Sequence, residues 1–334
     1  MTASVRAAQP AIAVDGVRKS FDGTAVLDGI GFTVPAGSVY ALLGPNGAGK
    51  TTVVRILTTL ITADGGSARI LGHDVSGDPD AIRRRIGVTG QFSAIDELLT
   101  GRENLQLMAD LQHLPRARGR AVADGLLRRF DLTDAADRSS RTYSGGMQRR
   151  LDLAMTLVGA PDVVFLDEPT TGLDPRSRRA LWDEVRDLVR DGVTILLTTQ
   201  YLDEADELAD RIGVLDGGRL IAEGTPAQLK TLVPGGRVVA TFADGHTLAA
   251  AAREFPGARR DTESGTLTIP HGGDLAALQR VIAGLDTCGA SAVEVRTPDL
   301  DDVFLALTGP ARAGAMKPAA QKRTIDGHTE ESAR

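Results

Sequence analysis

The sequence predicts an α/β fold built on a parallel sheet covered on both faces, and three observations carry that reading. The apolar run Val39-Tyr40-Ala41-Leu42-Leu43 feeds a glycine-rich loop and then a helical pattern bearing Val53, Val54, Ile56, Leu57 and Leu60. A second apolar run, Val163-Val164-Phe165-Leu166, ends in Asp167-Glu168-Pro169. A helical spacing on Trp182, Val185, Leu188 and Val189 is followed by the run Thr194-Ile195-Leu196-Leu197-Thr198-Thr199. Continuous apolar strands alternating with helices are what such a sheet requires.

Ahead of the loop, residues 12–14, 25–27 and 32–34 read as short strands. The loop itself, Gly44-Pro45-Asn46-Gly47-Ala48-Gly49-Lys50-Thr51, has the spacing of a phosphate-binding P-loop, and Thr52 follows it. Its glycines let backbone N–H groups close around phosphate oxygens, and the helix behind points its positive end at the same place. Lys50 would neutralise β- and γ-phosphate charge, and Thr51 would offer its hydroxyl to Mg²⁺. The expected ligand is a nucleoside triphosphate.

Asp167 and Glu168 end a strand where ligands collect in open α/β sheets, and consecutive strand residues point in different directions. Asp167 would hold Mg²⁺, while Glu168 would face the attacking water. Between the loop and these carboxylates, residues 96–157 read as largely helical, with helices over 104–111 and 122–130.

The stretch Tyr143-Ser144-Gly145-Gly146-Met147-Gln148 resembles the Leu-Ser-Gly-Gly-Gln signature of the ATP-binding cassette (ABC) ATPases. By its own chemistry Ser144 can cap the helix that follows and contact an anion there. The resemblance implies a P-loop NTPase cassette over residues 11–232: a RecA-like core, a β subdomain and an inserted helical subdomain. It also implies ATP and Mg²⁺ as ligands, and a homodimer in which Ser144, Gly145, Gly146, Met147 and Gln148 close over the partner copy's ATP. Other positions match the family's order along the chain. Gln91 stands where a glutamine senses Mg²⁺ and contacts the membrane subunit. Gly172-Leu173-Asp174 stands at the loop crossing the dimer interface, and Phe21 where an aromatic ring lies under adenine.

One position departs from the common pattern. Where most members carry a switch histidine after the strand 194–199, this chain has Gln200, followed by Tyr201-Leu202-Asp203-Glu204-Ala205. An amide can donate to phosphate but cannot become cationic or shuttle a proton. Thr-Thr-Gln-Tyr-Leu resembles the daunorubicin/doxorubicin-exporter branch of the family, in which the glutamine is the norm. Glu168, Gln200 and Gln91 are therefore the expected catalytic set.

The chain has 334 residues, a formal net charge of −6 and a single cysteine, Cys288. The negative balance gives no electrostatic reason to expect nucleic-acid binding, so Arg83-Arg84-Arg85 reads as a solvated helix face. One cysteine excludes an intrachain disulfide and fits a reducing compartment. No apolar stretch approaches the ~18–20 residues that span a bilayer, and the start, a flexible stretch over residues 1–10, lacks a signal peptide's apolar core. A membrane role would run through an integral membrane permease subunit, with this chain at the cytoplasmic face.

A boundary falls at Pro234-Gly235-Gly236. Beyond it, alternating strand and helix signals predict a small α+β domain over residues 235–309. Its ending, Thr297-Pro298-Asp299-Leu300-Asp301-Asp302-Val303-Phe304-Leu305-Ala306-Leu307-Thr308-Gly309, resembles a motif of the drug-exporter branch tied to dimer or partner contacts, and reads equally as an ordinary amphipathic closing helix. Residues 310–334 turn small and polar and read as a disordered tail. The resemblance implies the ATP-hydrolysing subunit of a bacterial drug exporter. Two alternatives are a soluble cassette ATPase acting on ribosome or DNA and, because of Gln200, a nucleotide-gated scaffold. The stretch from Thr51 to Ser144 is too short for the long coiled coil of DNA-repair relatives.

Overall fold

The computed structural model describes residues 9–90, 94–233, 235–271 and 275–308. In chain order these form β1 (Ile12–Phe21), β2 (Thr24–Val34), β3 (Val39–Leu43), α1 (Lys50–Leu57), β4 (Gly65–Ile70), β5 (His73–Asp74), α2 (Pro79–Arg83), β6 (Ile86–Thr89), α3 (Gly101–Leu111) and α4 (Arg116–Arg129). They continue as α5 (Gly145–Thr156), β7 (Val163–Asp167), α6 (Pro175–Arg190), β8 (Thr194–Thr199), α7 (Leu202–Leu208), β9 (Arg211–Asp216), β10 (Arg219–Gly224) and α8 (Pro226–Lys230). The remainder comprises β11 (Gly236–Thr241), α9 (Gly245–Glu254), β12 (Arg259–Asp261), β13 (Thr266–His271), α10 (Leu275–Thr287), β14 (Ala292–Arg296) and α11 (Leu300–Thr308). Gln91, Pro234 and the tail expected over 310–334 lie outside the described residues, as do residues 1–8.

The central sheet has the order β10-β9-β3-β8-β7-β6, parallel throughout except for β10. Alternation along its strands sends side chains to two separate cores. Val39, Ala41, Leu43, Val164, Leu166, Ile195 and Leu197 face the core shared with α3, α4, α5 and α6. Tyr40, Leu42, Val163, Phe165 and Leu196 face the core shared with α1 and the four-stranded sheet β2-β1-β4-β5. Both faces are dry, which is why these strands read as unbroken apolar runs.

The short strands expected over 25–27 and 32–34 are one continuous strand, β2, paired antiparallel with β1 along its length. Gly29 and Gly31 weaken the strand signal between them, while pairing with β1 and burial of Leu27, Ile30 and Phe32 override it. The helix read from Trp182 starts earlier, at Pro175, because Asp174 caps it and proline is suited to a helix's first position.

Residues 236–290 enclose a third core of Val238, Ala240, Phe242, Leu248, Ala251, Leu267, Ile269 and Leu285. Its sheet runs β12-β13-β11-β14. The last helix departs from the expectation that it closes this small unit. Leu300 and Val303 of α11 are buried in the cassette's own core, where α11 packs on α7 and α8. Its apolar face finds a larger surface there, while Asp302 ion-pairs with Arg237 of β11.

Candidate active site

The glycine-rich loop leaves β3 at the carboxyl edge of the central sheet and runs straight into α1. Gly44 is tied to the neighbouring strand by donating its amide to the Thr199 carbonyl at 3.2 Å. A Cβ at Gly44 would sit 2.2 Å from the Leu215 carbonyl, so only glycine fits there. Gly49 caps α1 with a left-handed φ of 106°, and a Cβ there would meet Leu27 at 2.7 Å. Asn46 and Gly47 stand exposed at the loop's crest; Ala48, Gly49 and Lys50 are buried beneath it, with Thr51 and Thr52 half-buried behind.

Lys50 turns its ammonium back under the loop, donating to the carbonyls of Gly44 at 2.8 Å and Pro45 at 3.1 Å. The same Nζ lies 3.4 Å from Oε1 of Glu168, with the two side chains 4% and 11% exposed. Asp167, at the end of β7, is buried and accepts a hydrogen bond from the Thr198 hydroxyl on β8. Glu168 follows with a φ of 49°, a left-handed backbone that costs a non-glycine residue about 1–3 kcal/mol. Its amide donates to the Thr198 carbonyl at 3.1 Å, and the Thr171 hydroxyl lies 3.4 Å from its Oε2.

Gln200 is half-buried and is the first residue beyond β8, whose Thr199 pairs with Leu43 at the start of the loop. Strand register thus brings Lys50, Asp167, Glu168 and Gln200 to one edge of the sheet. Beneath them Glu204 is fully buried, accepting from Trp182 Nε1 at 3.3 Å. Burial holds its carboxyl above the usual range, against the opposing pull of nearby donors including Trp182 Nε1.

Phe21 ends β1 with its ring 42% exposed and the Lys19 ammonium 5.4 Å from the ring centre. It belongs to the sheet that flanks the loop, since β2 supplies the Leu27 that crowds Gly49. Gln91 lies outside the described residues.

The signature residues are grouped elsewhere. Ser144 caps α5, its hydroxyl accepting from the Met147 amide at 3.3 Å, and Gln148 donates to the Ser140 carbonyl at 3.3 Å. Ser144 and Gly145 are exposed; Gly146 and Met147 are half-buried. A Cβ on Gly146 would come 2.5 Å from the Ser177 hydroxyl, so the start of α5 lies against the start of α6. There the Asp174 carboxylate accepts from the amides of Arg176 and Ser177 and from the Ser177 hydroxyl. Those bonds, the hydroxyl's first, hold its carboxyl below the usual range. Among the described residues no hydrogen bond from residues 144–148 reaches the loop at 44–52.

Two charged residues that the sequence reading passed over join these parts. Arg149 of α5 donates from Nε to the Pro169 carbonyl at 2.7 Å and from Nη1 to Asp152 at 3.0 Å. Asp152 in turn accepts from the Ala94 amide at 3.2 Å. The available signal was an i, i+3 charge pair set among Leu151, Leu153 and Ala154, where a buried face expects apolar residues.

A family profile described as ABC transporter matches residues 27–171. The chain is 50% identical over 309 residues to a daunorubicin resistance ATP-binding protein of Streptomyces coeruleorubidus, covering 91% of this chain and 98% of that protein. It is 40% identical to a Nod factor export ATP-binding protein of Ralstonia nicotianae, covering 90% and 94%. Among solved structures it is similar to an ATP binding subunit of an ABC transporter, with TM-score 0.60 and 28% identity over 66% of this chain and 92% of that one.

Proposed function

The chain belongs to the ABC transporter family of ATP-binding proteins, and from that premise we propose that it hydrolyses ATP to drive efflux of a hydrophobic drug through a separate membrane subunit. The observation that carries the reading is the approach of Lys50 and Glu168 at the carboxyl edge of a parallel sheet, beside a loop that tolerates only glycine at Gly44. The similarity to drug-resistance and Nod factor export proteins favours transport over ribosome or DNA work. No helix among the described residues is long and apolar enough to cross a membrane, so transport would run through a partner at the cytoplasmic face.

In this reading the loop amides and Lys50 bind the β- and γ-phosphates, and Phe21 lies under the adenine. The Thr51 hydroxyl and the Asp167 carboxylate are hard oxygen donors and would be the residues to hold Mg²⁺. When bound, that ion would offset charge on the phosphates. Glu168 takes the proton of a water attacking the γ-phosphorus as the bond to the β–γ bridging oxygen breaks, and ADP leaves with the electron pair. Gln200 donates to a γ-phosphate oxygen, and Gln91 completes the set. Residues 144–148 of a second copy close the site from the other side, which fits the lack of hydrogen bonds, among the described residues, between them and their own loop. Asp174 positions the neighbouring turn.

Glu168→Gln tests this reading, since it keeps size and polarity but cannot accept the proton. Turnover should collapse while ATP binding persists, and the variant should elute as a dimer with ATP and a monomer without it. Purified from membranes, the trapped form should bring a multi-span protein with it. Undiminished hydrolysis would remove Glu168 from the role of base.

A further inference from the structure

The left-handed backbone of Glu168 is pinned from both sides. On its amino side the amide is held by the Thr198 carbonyl at 3.1 Å. On its carboxyl side its own carbonyl accepts from the Thr171 amide at 3.3 Å, and the carbonyl of the following residue, Pro169, accepts from Arg149 at 2.7 Å. A strained, non-glycine conformation persists only where its surroundings over-determine it. Arg149 is an expensive way to supply one of those restraints. Its side chain is 15% exposed, and the buried Nη2 has no hydrogen-bond partner among the described residues. A buried ion pair with an unsatisfied donor does little for stability, because desolvation offsets the attraction. What the pair does provide is connection. One guanidinium ties the Glu168–Pro169 segment to the first turns of α5 and, through Asp152, to the Ala94 amide.

We propose that Arg149 is a positioning residue for ATP hydrolysis: together with Asp152 it holds the Glu168 backbone in register with the start of α5 and with the backbone at Ala94. The proposal rests on Glu168 acting as the base. Arg149 touches no reacting atom; it acts by fixing the direction in which the Glu168 carboxylate leaves the strand end. Lysine cannot substitute, since a single ammonium lacks the guanidinium's rigid, spread donors and cannot serve the Pro169 carbonyl and Asp152 with the same geometry.

The informative variant is the double substitution Arg149→Met with Asp152→Leu, which removes both charges together and releases only the Pro169 carbonyl and the Ala94 amide, so no buried ion is left unpaired and the fold should survive. Arg149→Lys alone is the conservative companion. For the full chain, the double variant should keep its melting temperature within a few degrees and its KM for ATP within about twofold, while kcat falls about tenfold or more, as expected when a catalytic group is slightly misplaced. Arg149→Lys should fall between it and the unsubstituted protein. Amide hydrogen exchange gives an arm that needs no turnover: residues 168–171 and 94–96 should both exchange about tenfold faster in the double variant, with the loop at 44–50 unchanged. A kcat within twofold of the parent overturns the proposal, as does a kcat that falls only in step with stability or with a rising KM. Unchanged protection in both segments overturns it as well. Should Glu168→Gln leave turnover intact, the base assignment fails, and the exchange arm still reports whether Arg149 holds that segment.

Discussion

Lys50 Nζ and Glu168 Oε1 stand 3.4 Å apart at the edge of the central sheet, and the lysine's other two contacts are carbonyls of its own loop. The ammonium is thus held between the loop and Glu168, and a phosphate oxygen bound in the loop would compete with Glu168 for it. In the proposed reading, nucleotide binding and release of the Glu168 carboxylate would be linked through this one cation.

Lys50→Ala removes a buried charge that no neighbour replaces. Losing a charge-assisted contact of this kind costs about 3 kcal/mol or more, so Mg-ATP affinity should fall roughly 100-fold or further, with turnover lost. Equilibrium titration with a fluorescent ATP analogue checks it, and near-parental affinity would dissociate the loop from nucleotide binding.

Gln200→Ala should lower the steady-state ATPase rate about 10²–10³-fold at saturating Mg-ATP, the usual effect of losing one preorganised donor to a developing charge. Gln200→His restores a donor of similar reach and should stay within about tenfold of the parent. Affinity for ATP should change little in either, since Lys50 and the loop backbone carry it. An alanine variant as fast as the parent would make Gln200 a bystander.

Glu204 sets a pH dependence of stability. Burial raises its carboxyl above the unfolded value, so the folded state holds its proton more tightly than the unfolded chain does. Stability is then greatest below the unfolded carboxyl's range and is lost as pH rises toward the elevated folded value. Glu204→Gln keeps an acceptor for Trp182 Nε1 without the buried charge. Its melting temperature should exceed the parent's at pH 8, with the gap closing toward pH 5. A gap that widens on acidification would refute the assignment.

Legibility from sequence followed the range of the interactions. Residues 44–52 and 163–168 could be read directly because strand, loop and helix chemistry there is local and both strand faces are buried. The hairpin of β9 and β10 escaped notice, since Gly213 and the half-buried Leu220 and Ile221 blur its alternation and only pairing with β3 defines it. Asp174 was visible, but its first duty as cap of α6 is a separate matter from any role across an interface. Arg149 could not be assigned a role from sequence because Pro169, whose carbonyl it holds, and Ala94, whose amide its partner Asp152 holds, lie far away along the chain. The apolar stripe of α11 announced burial without naming the surface that receives it.

That receiving surface alters how the chain should be cut. With Leu300 and Val303 seated beside α7 and α8, the polypeptide leaves the cassette after α8, builds the unit of β11–β14, α9 and α10, and then comes back. In topology the small unit is an excursion with two anchored ends rather than an appendage with one. A stop codon placed after residue 233 would therefore strip the cassette of a packing element and leave an apolar scar. An excision that bridges residues 234–299 with a short polar linker and retains α11 would spare it. The two deletions remove the same small sheet, and the difference in solubility between them measures the grip of nine residues.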